Sequence, residues 1–232
     1  MTEALIILLA AHCYGDFLAQ SRWMAEGKRA GGTASAGPLL AHALVHGLLA
    51  YLLLQEWSLW QVPLLVLLVH GLIDVVAANA PRTARNFAWD QLAHGLSLPG
   101  ILWLVEQMQG APVAFTGTGY EPIVLAAGFC ATVPGAGFFI ERAVGRIVED
   151  NGIDLKPGLH GGGQLIGRLE RALIFALMTI GLPMGIGFLV AAKSILRFEE
   201  AKKQPLAEYI LIGTLWSFTL AIALSWATLQ LL

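Results

Sequence analysis

Four pairs of polar residues recur at a spacing of four inside apolar stretches of this chain: His12 and Asp16, His42 and His46, His70 and Asp74, and Asp90 and His94. On an α-helix, residues four apart share a face with Cβ atoms about 5–6 Å apart, so each pair offers two donors to one point. Imidazole nitrogen and carboxylate oxygen are the ligands that zinc, manganese and iron take, at about 2.0–2.2 Å. Five imidazoles and three carboxylates exceed the needs of one tetrahedral ion. The set suits two or more divalent ions, zinc foremost, with manganese or iron as alternatives. Such a centre lowers the pKa of bound water and stabilises charge on a phosphoryl oxygen, which is the chemistry of metal-dependent phosphoester hydrolysis. Asp16, Asp74 and Asp90 are the candidate catalytic residues as well as ligands. Gln20 and Gln91 lie where their amides would orient a carboxylate or a water from outside the metal shell.

The elements that carry these pairs must cross a membrane. The 232 residues are 56% hydrophobic and only 13% charged, a balance foreign to a soluble globule. Apolar runs over 5–18, 39–54, 59–78, 87–105, 123–140, 173–192 and 209–232 each approach the roughly 17–25 residues that span hydrocarbon. The expected fold is an all-α polytopic integral membrane helix bundle with six or seven transmembrane helices. In that setting a buried aspartate costs roughly 2.5–3.5 kcal/mol at mid-membrane and needs a partner or a cation. The first run follows Met1 closely, with Glu3 and no basic segment before it, and reads as a retained helix rather than a cleaved signal peptide.

Basic residues set the orientation. Arg22, Lys28 and Arg29 follow the first run, Arg82 and Arg85 follow the third, and Arg142, Arg146, Lys156, Arg168 and Arg171 follow the fifth, whereas the segments near 55–57 and 107–120 have none. This places the N-terminus outside a bacterial inner membrane and the odd-numbered connections in the cytoplasm. Lys193, Arg197, Lys202 and Lys203 contradict the pattern if run 173–192 crosses, and that run contains Gly181, Pro183, Gly185 and Gly187. A kinked spanning helix and a broken, re-entrant element are both open readings. With a net charge of −2 the expected partners are the bilayer and a lipid or lipid-linked substrate, with no nucleic acid; the sequence does not set an oligomeric state.

Direction of travel brings the pairs together. His12 and Asp16 fall late in the first helix, His42 and His46 early in the second, His70 and Asp74 late in the third, Asp90 and His94 early in the fourth. In an up-down-up-down bundle these positions share one leaflet, the cytoplasmic one. The chain accordingly reads as a four-helix bundle with the metal site over 1–108, an external loop, fifth helix and flexible connection over 109–163, and C-terminal membrane helices with a basic interfacial segment over 164–232.

Each residue also has a plainer reading. A single intramembrane histidine such as His46 serves equally as an interhelical hydrogen-bonding group, and Asp90 lies near Arg85. Four pairs at one spacing and one depth fit metal binding better. His160 precedes a triple glycine and reads as solvated. Trp23, Trp57, Trp60 and Trp89 stand at segment ends like interfacial anchors. Gly15 and Gly95 flank the pairs and permit close helix approach. Arg171, Lys193 and Arg197, with Glu170 and Glu208, form a weaker candidate site for an anionic headgroup, and ordinary snorkelling residues look the same. Cys13 and Cys130 imply no disulfide framework. Three other functions compete: a metal-ion transporter, a redox protein holding haem or a di-iron centre, and a non-catalytic helix bundle.

The motifs resemble a family of bacterial integral membrane proteins, DUF3307. The resemblance rests on His12, Gly15, Asp16, Phe17 and Gln20 in the first helix, His42 in the second, His70 and Asp74 in the third, and Asp90, Gln91 and His94 in the fourth. It continues through Gly167, Arg168, Glu170 and Arg171, through Lys193, Ser194, Arg197 and Phe198, and through Glu208, Tyr209, Gly213 and Thr214, with 107–163 the least matched. The family implies the membrane fold and the polar constellation but no activity. More distantly, the constellation is similar to that of membrane-bound metal-dependent hydrolases, and its ligand types to those of zinc phospholipases C and single-strand nucleases, a likeness that implies hydrolysis by analogy of site alone.

Overall fold

A computed structural model describes residues 2–152, 161–196 and 204–232. Every regular element among them is helical. In chain order these are α1 (Thr2–Tyr14), α2 (Arg22–Gly27), α3 (Ala36–Leu54), α4 (Gln61–Ala77), α5 (Ala84–Gln109), α6 (Tyr120–Cys130), α7 (Ala136–Asn151), α8 (Gly162–Thr179), α9 (Met184–Leu196) and α10 (Gln204–Gln230). Two wide π-turns, Gly15–Ala19 and Ala131–Gly135, continue α1 and join α6 to α7. Four helical stretches among the described residues are long and apolar enough to cross a membrane: Thr2–Ala19, Gly32–Leu54, Tyr120–Asn151 and Ala207–Gln230. Helix α4 is apolar but has 17 residues, about 26 Å at 1.5 Å per residue. Helix α5 has ample length, with charged or polar residues near both ends.

The chain divides into two compact units, Met1–Cys130 and Ala131–Leu232. The division falls within the helical stretch Tyr120–Asn151, and the segment after α5 is tied back to the first unit. The Gln55 side chain takes both backbone groups of Thr118, at 2.9 and 3.1 Å, and the Tyr14 hydroxyl donates to the Ile123 carbonyl at 2.8 Å.

In the first unit α1 is packed against α3, α5 and α6, and it is apolar around its circumference, as a surrounded helix must be. Helix α3 shows the logic of its neighbours. One face carries Leu40, Leu44, Leu48 and Leu52, all exposed, and the other carries His42, Ala43, His46, Gly47 and Ala50, all buried. Large apolar groups outside and small or polar ones inside suit lipid as solvent, since hydrocarbon does not penalise leucine and small residues let helices approach. At Gly47 a Cβ would lie 3.0 Å from the Pro63 carbonyl oxygen of α4. The trans-bundle core of Ile7, Leu8, Ala50, Leu54, Val62, Leu102 and Val105 closes one end of this unit.

In the second unit the apolar run 173–192 is not one helix. Helix α8 stops at Thr179, Gly181 takes a left-handed φ of 74°, and α9 starts at Met184. The Leu182 N–H donates to the Leu177 carbonyl and the Gly181 N–H to the Met178 carbonyl, the paired bonds that close a helix C-terminus without outside help. Helix α9 then runs back along α8. Lys193 Nζ donates to Glu170 Oε2 at 2.7 Å, and a Cβ at Gly185 would lie 2.9 Å from Leu177 Cδ2. The result is a hairpin with an ion pair toward its base and exposed Ile180, Leu182, Met184 and Phe188 around its tip. The 13 residues of α9 reach only about 20 Å, short of the ~30 Å hydrocarbon core.

The antiparallel course of α8 and α9 predicts that their far ends lie on one side of a membrane. In a chain with Cys13 and Cys130 replaced by alanine, single cysteines at Gln164 and Ser194 should be labelled by a membrane-impermeant maleimide from the same face of sealed vesicles. Labelling from opposite faces would overturn the hairpin.

Candidate metal centre

Asp16 is the hub. It sits on the π-turn that follows α1, where the wider winding resets the side-chain register after His12. Its Oδ1 lies 3.2 Å from His42 Nε2, 3.2 Å from His46 Nε2 and 4.0 Å from His70 Nε2. Four ligands held tetrahedrally at zinc–nitrogen and zinc–oxygen distances stand about 3.3 Å apart. The donor atoms of Asp16, His42, His46 and His70 all lie within 4.8 Å of one another, a looser set than that spacing, and a second group of donors, His70, Asp74 and His94, shares His70 with the first. The His46 and His70 rings stack with centroids 3.5 Å apart, and the His70 and His94 rings lie tilted with centroids 4.2 Å apart.

Protons on several rings are fixed by their neighbours. Gln91 Nε2 donates to Asp16 Oδ2 at 2.7 Å, so its amide oxygen accepts from His12 Nε2 at 3.1 Å. His12 is thereby a donor that steadies Asp16 through Gln91, and it belongs to neither donor group. His94 Nδ1 donates to the Asp90 carbonyl at 2.9 Å, which leaves the Nε2 lone pair directed inward, the arrangement typical of a metal-binding histidine. Gln20 lays its amide nitrogen 3.2 Å from His42 Nε2.

The test of whether these residues fit a metal is the account of buried polar atoms. The Nε2 atoms of His46, His70 and His94 and Oδ1 of Asp90 are buried without a hydrogen-bond partner. A buried unsatisfied polar group costs about 1–3 kcal/mol, and three imidazole nitrogens in one cluster call for a shared ligand. A cavity of about 10 Å³ lies beside the cluster, between His12, His46, His70, His94 and Ser97 on one side and the apolar Leu8, Val66, Leu98 and Ile101 on the other, room for one water-sized body. The donor set fits a divalent cation.

Sequence reasoning missed one participant. Lys28, read only as a basic residue of the first connection, follows α2 and donates to both oxygens of Asp74, at 3.1 and 3.2 Å. No spacing rule marks it, because α2 folds back over the bundle end through tertiary packing on α3. Asp90 stands at the rim, with a side chain 22% exposed. The glycines also separate. A Cβ at Gly15 would fall 2.2 Å from His46 Cε1, whereas at Gly95 the nearest atom is 4.0 Å away.

The weaker headgroup site is differently arranged. Arg171 is buried and donates to the Val133 carbonyl from Nε and Nη2 and to Ser217 Oγ from Nη1, at 3.0, 2.8 and 3.2 Å. Its guanidinium faces the interior of the second unit. Lys193 is taken by Glu170, and Arg197, like His160, lies outside the described residues.

Residues 4–116 match the model of the family described as Protein of unknown function (DUF3307). The matched stretch contains all four pairs, Gln20, Gln91 and Lys28, which supports the resemblance read from the motifs. No curated protein and no solved structure matches the chain. The likeness to membrane-bound metal-dependent hydrolases rests on the constellation alone.

The contact between Gly15 and His46 predicts that Gly15→Ala displaces the His46 ring. The variant should keep its helical circular dichroism and bind zinc at least about 10-fold more weakly, as loss of support around a metal commonly does. Unchanged affinity in calorimetric titration would refute the contact's role.

Proposed function

We propose that this chain is a polytopic protein of the bacterial inner membrane whose first unit holds a divalent-metal centre and hydrolyses a phosphoester of a lipid or lipid-linked substrate. The observation that carries the reading is the set of three buried imidazole nitrogens, Nε2 of His46, His70 and His94, that form no hydrogen bond, the first two lying 3.2 and 4.0 Å from Asp16 Oδ1. Asp16, His42, His46 and His70 are the proposed ligands of the principal ion, and zinc suits their number and kind. A bound divalent ion would acidify a bound water and neutralise charge on a phosphoryl oxygen.

The chain's own residues have distinct tasks in this scheme. His12 and Gln91 hold Asp16 in place. Asp90, with one oxygen that forms no hydrogen bond and a side chain 22% exposed at the rim, is the carboxylate best placed to accept a proton from water. The basic residues Arg22, Arg29, Arg82 and Arg85 belong to the same bundle end as Lys28 and favour an anionic headgroup arriving from the interface. The N-terminus is outside and the bundle end bearing α2 is cytoplasmic. The hairpin of α8 and α9 does not cross, so six transmembrane helices are proposed, α4 and α5 among them.

Rival functions meet specific obstacles. A transport path would need polar groups beyond the site, yet there Leu8, Val62, Leu102 and Val105 are almost fully buried in apolar contact. Imidazoles stacked at 3.5 Å and a cavity of about 10 Å³ leave no slot for a haem plane. A purely structural bundle has no use for unpartnered nitrogens in its interior.

Elemental analysis of the detergent-purified chain should find bound zinc, manganese or iron. The His70→Ala/Asp74→Ala double variant removes the histidine shared by both donor groups and should lose the metal together with activity in a phospholipid and prenyl-phosphate hydrolysis screen. A native chain without transition metal, or a double variant with unchanged metal content, would sink the proposal.

A further inference from the structure

The two donor groups differ in one respect that bears on how many ions the centre takes. Around Asp16 the close cationic candidates among the described residues are imidazoles, which are ordinary metal ligands. Around Asp74 a cation is already present. Lys28 Nζ sits in the fork of the carboxylate, 3.1 Å from Oδ1 and 3.2 Å from Oδ2, with the Asp74 side chain only 4% exposed. The same Oδ2 lies 3.5 Å from His42 Nε2 and 3.8 Å from His70 Nε2. A divalent ion using Asp74, His70 and His94 would therefore share that carboxylate with an ammonium group in a water-poor setting, where like charges repel strongly. His70 is also claimed by the first group.

Resting on the metal reading above, we infer that Lys28 takes the place of a second metal ion. The centre holds one divalent cation, on Asp16, His42, His46 and His70, and the Lys28 ammonium on Asp74 is its fixed second positive charge. This arrangement gives two cationic points for an anionic phosphoryl group from a single metal. It also explains why a lysine of a short connecting helix is drawn onto a buried aspartate. Arg29, next in sequence, donates to the Ala80 carbonyl, so the segment after α2 is fastened to the end of α4 at two successive residues.

Zinc titration of the full-length chain in detergent, with bound metal counted after equilibrium dialysis against zinc chloride, tests the inference. The native chain should saturate at one ion. Lys28→Met frees Asp74 to hold a second ion with His94 and water, without His70, and should raise the count to two, while Lys28→Arg, which keeps the charge, should remain at one. A native chain that saturates at two ions, or a folded Lys28→Met chain that stays at one, overturns the inference and leaves the metal reading intact. A native chain that binds none overturns both. If Lys28→Met does not fold, the native count together with that of Lys28→Arg still decides, since two ions in either contradicts Lys28 as the second cation.

Discussion

The first unit is organised around the need to keep one buried carboxylate in company. Asp16 sits in a largely apolar bundle where an isolated charge is expensive, and three helices supply what surrounds it: His42 and His46 from α3, His70 from α4 and Gln91 from α5. Helix α1 adds His12 from its own preceding turn. Each helix enters the cluster through a side chain that reaches Asp16 or touches a ring that does. The packing of small residues on the inner face of α3 follows from this, because helices drawn to one carboxylate must approach closely. The apolar end of the unit, dry and tightly filled, supports the cluster from beneath and confines access to the end near α2.

Much of this was legible in the sequence because two periodicities coincide. The apolar runs gave the helices, and the spacing of four placed each polar pair on one face. Alternating direction then brought late and early positions to one level, and the residues do meet. The finer roles were not legible. Spacing treats His12 and His42 alike, yet only rotation at the π-turn and the position of Gln91 make His12 a support for Asp16. Lys28 was hidden for a different reason. Its contact with Asp74 depends on where α2 folds, a tertiary fact with no local signature, and charge counting had already given the residue another use.

The second unit shows the reverse case, in which a conflict in the sequence was the signal. Basic residues after 192 opposed a crossing by run 173–192, while hydropathy favoured one. In the structure a left-handed glycine and two closing hydrogen bonds divide the run into two helices, with these backbone groups of the turn paired internally. Hydropathy measures side chains and cannot register that closure. Length also limits it. A run can be apolar enough for a bilayer and still be divided into halves too short to traverse one.

The close approach of Gly15 to the His46 ring makes the choice of residue at one position depend on the other. With an imidazole at 46, position 15 admits no Cβ without displacement of the ring. A smaller side chain at 46 would release that restriction, and alanine or serine at 15 would then be tolerated. Wherever the histidine is kept, glycine is therefore the residue that position 15 can hold without disturbing the ring.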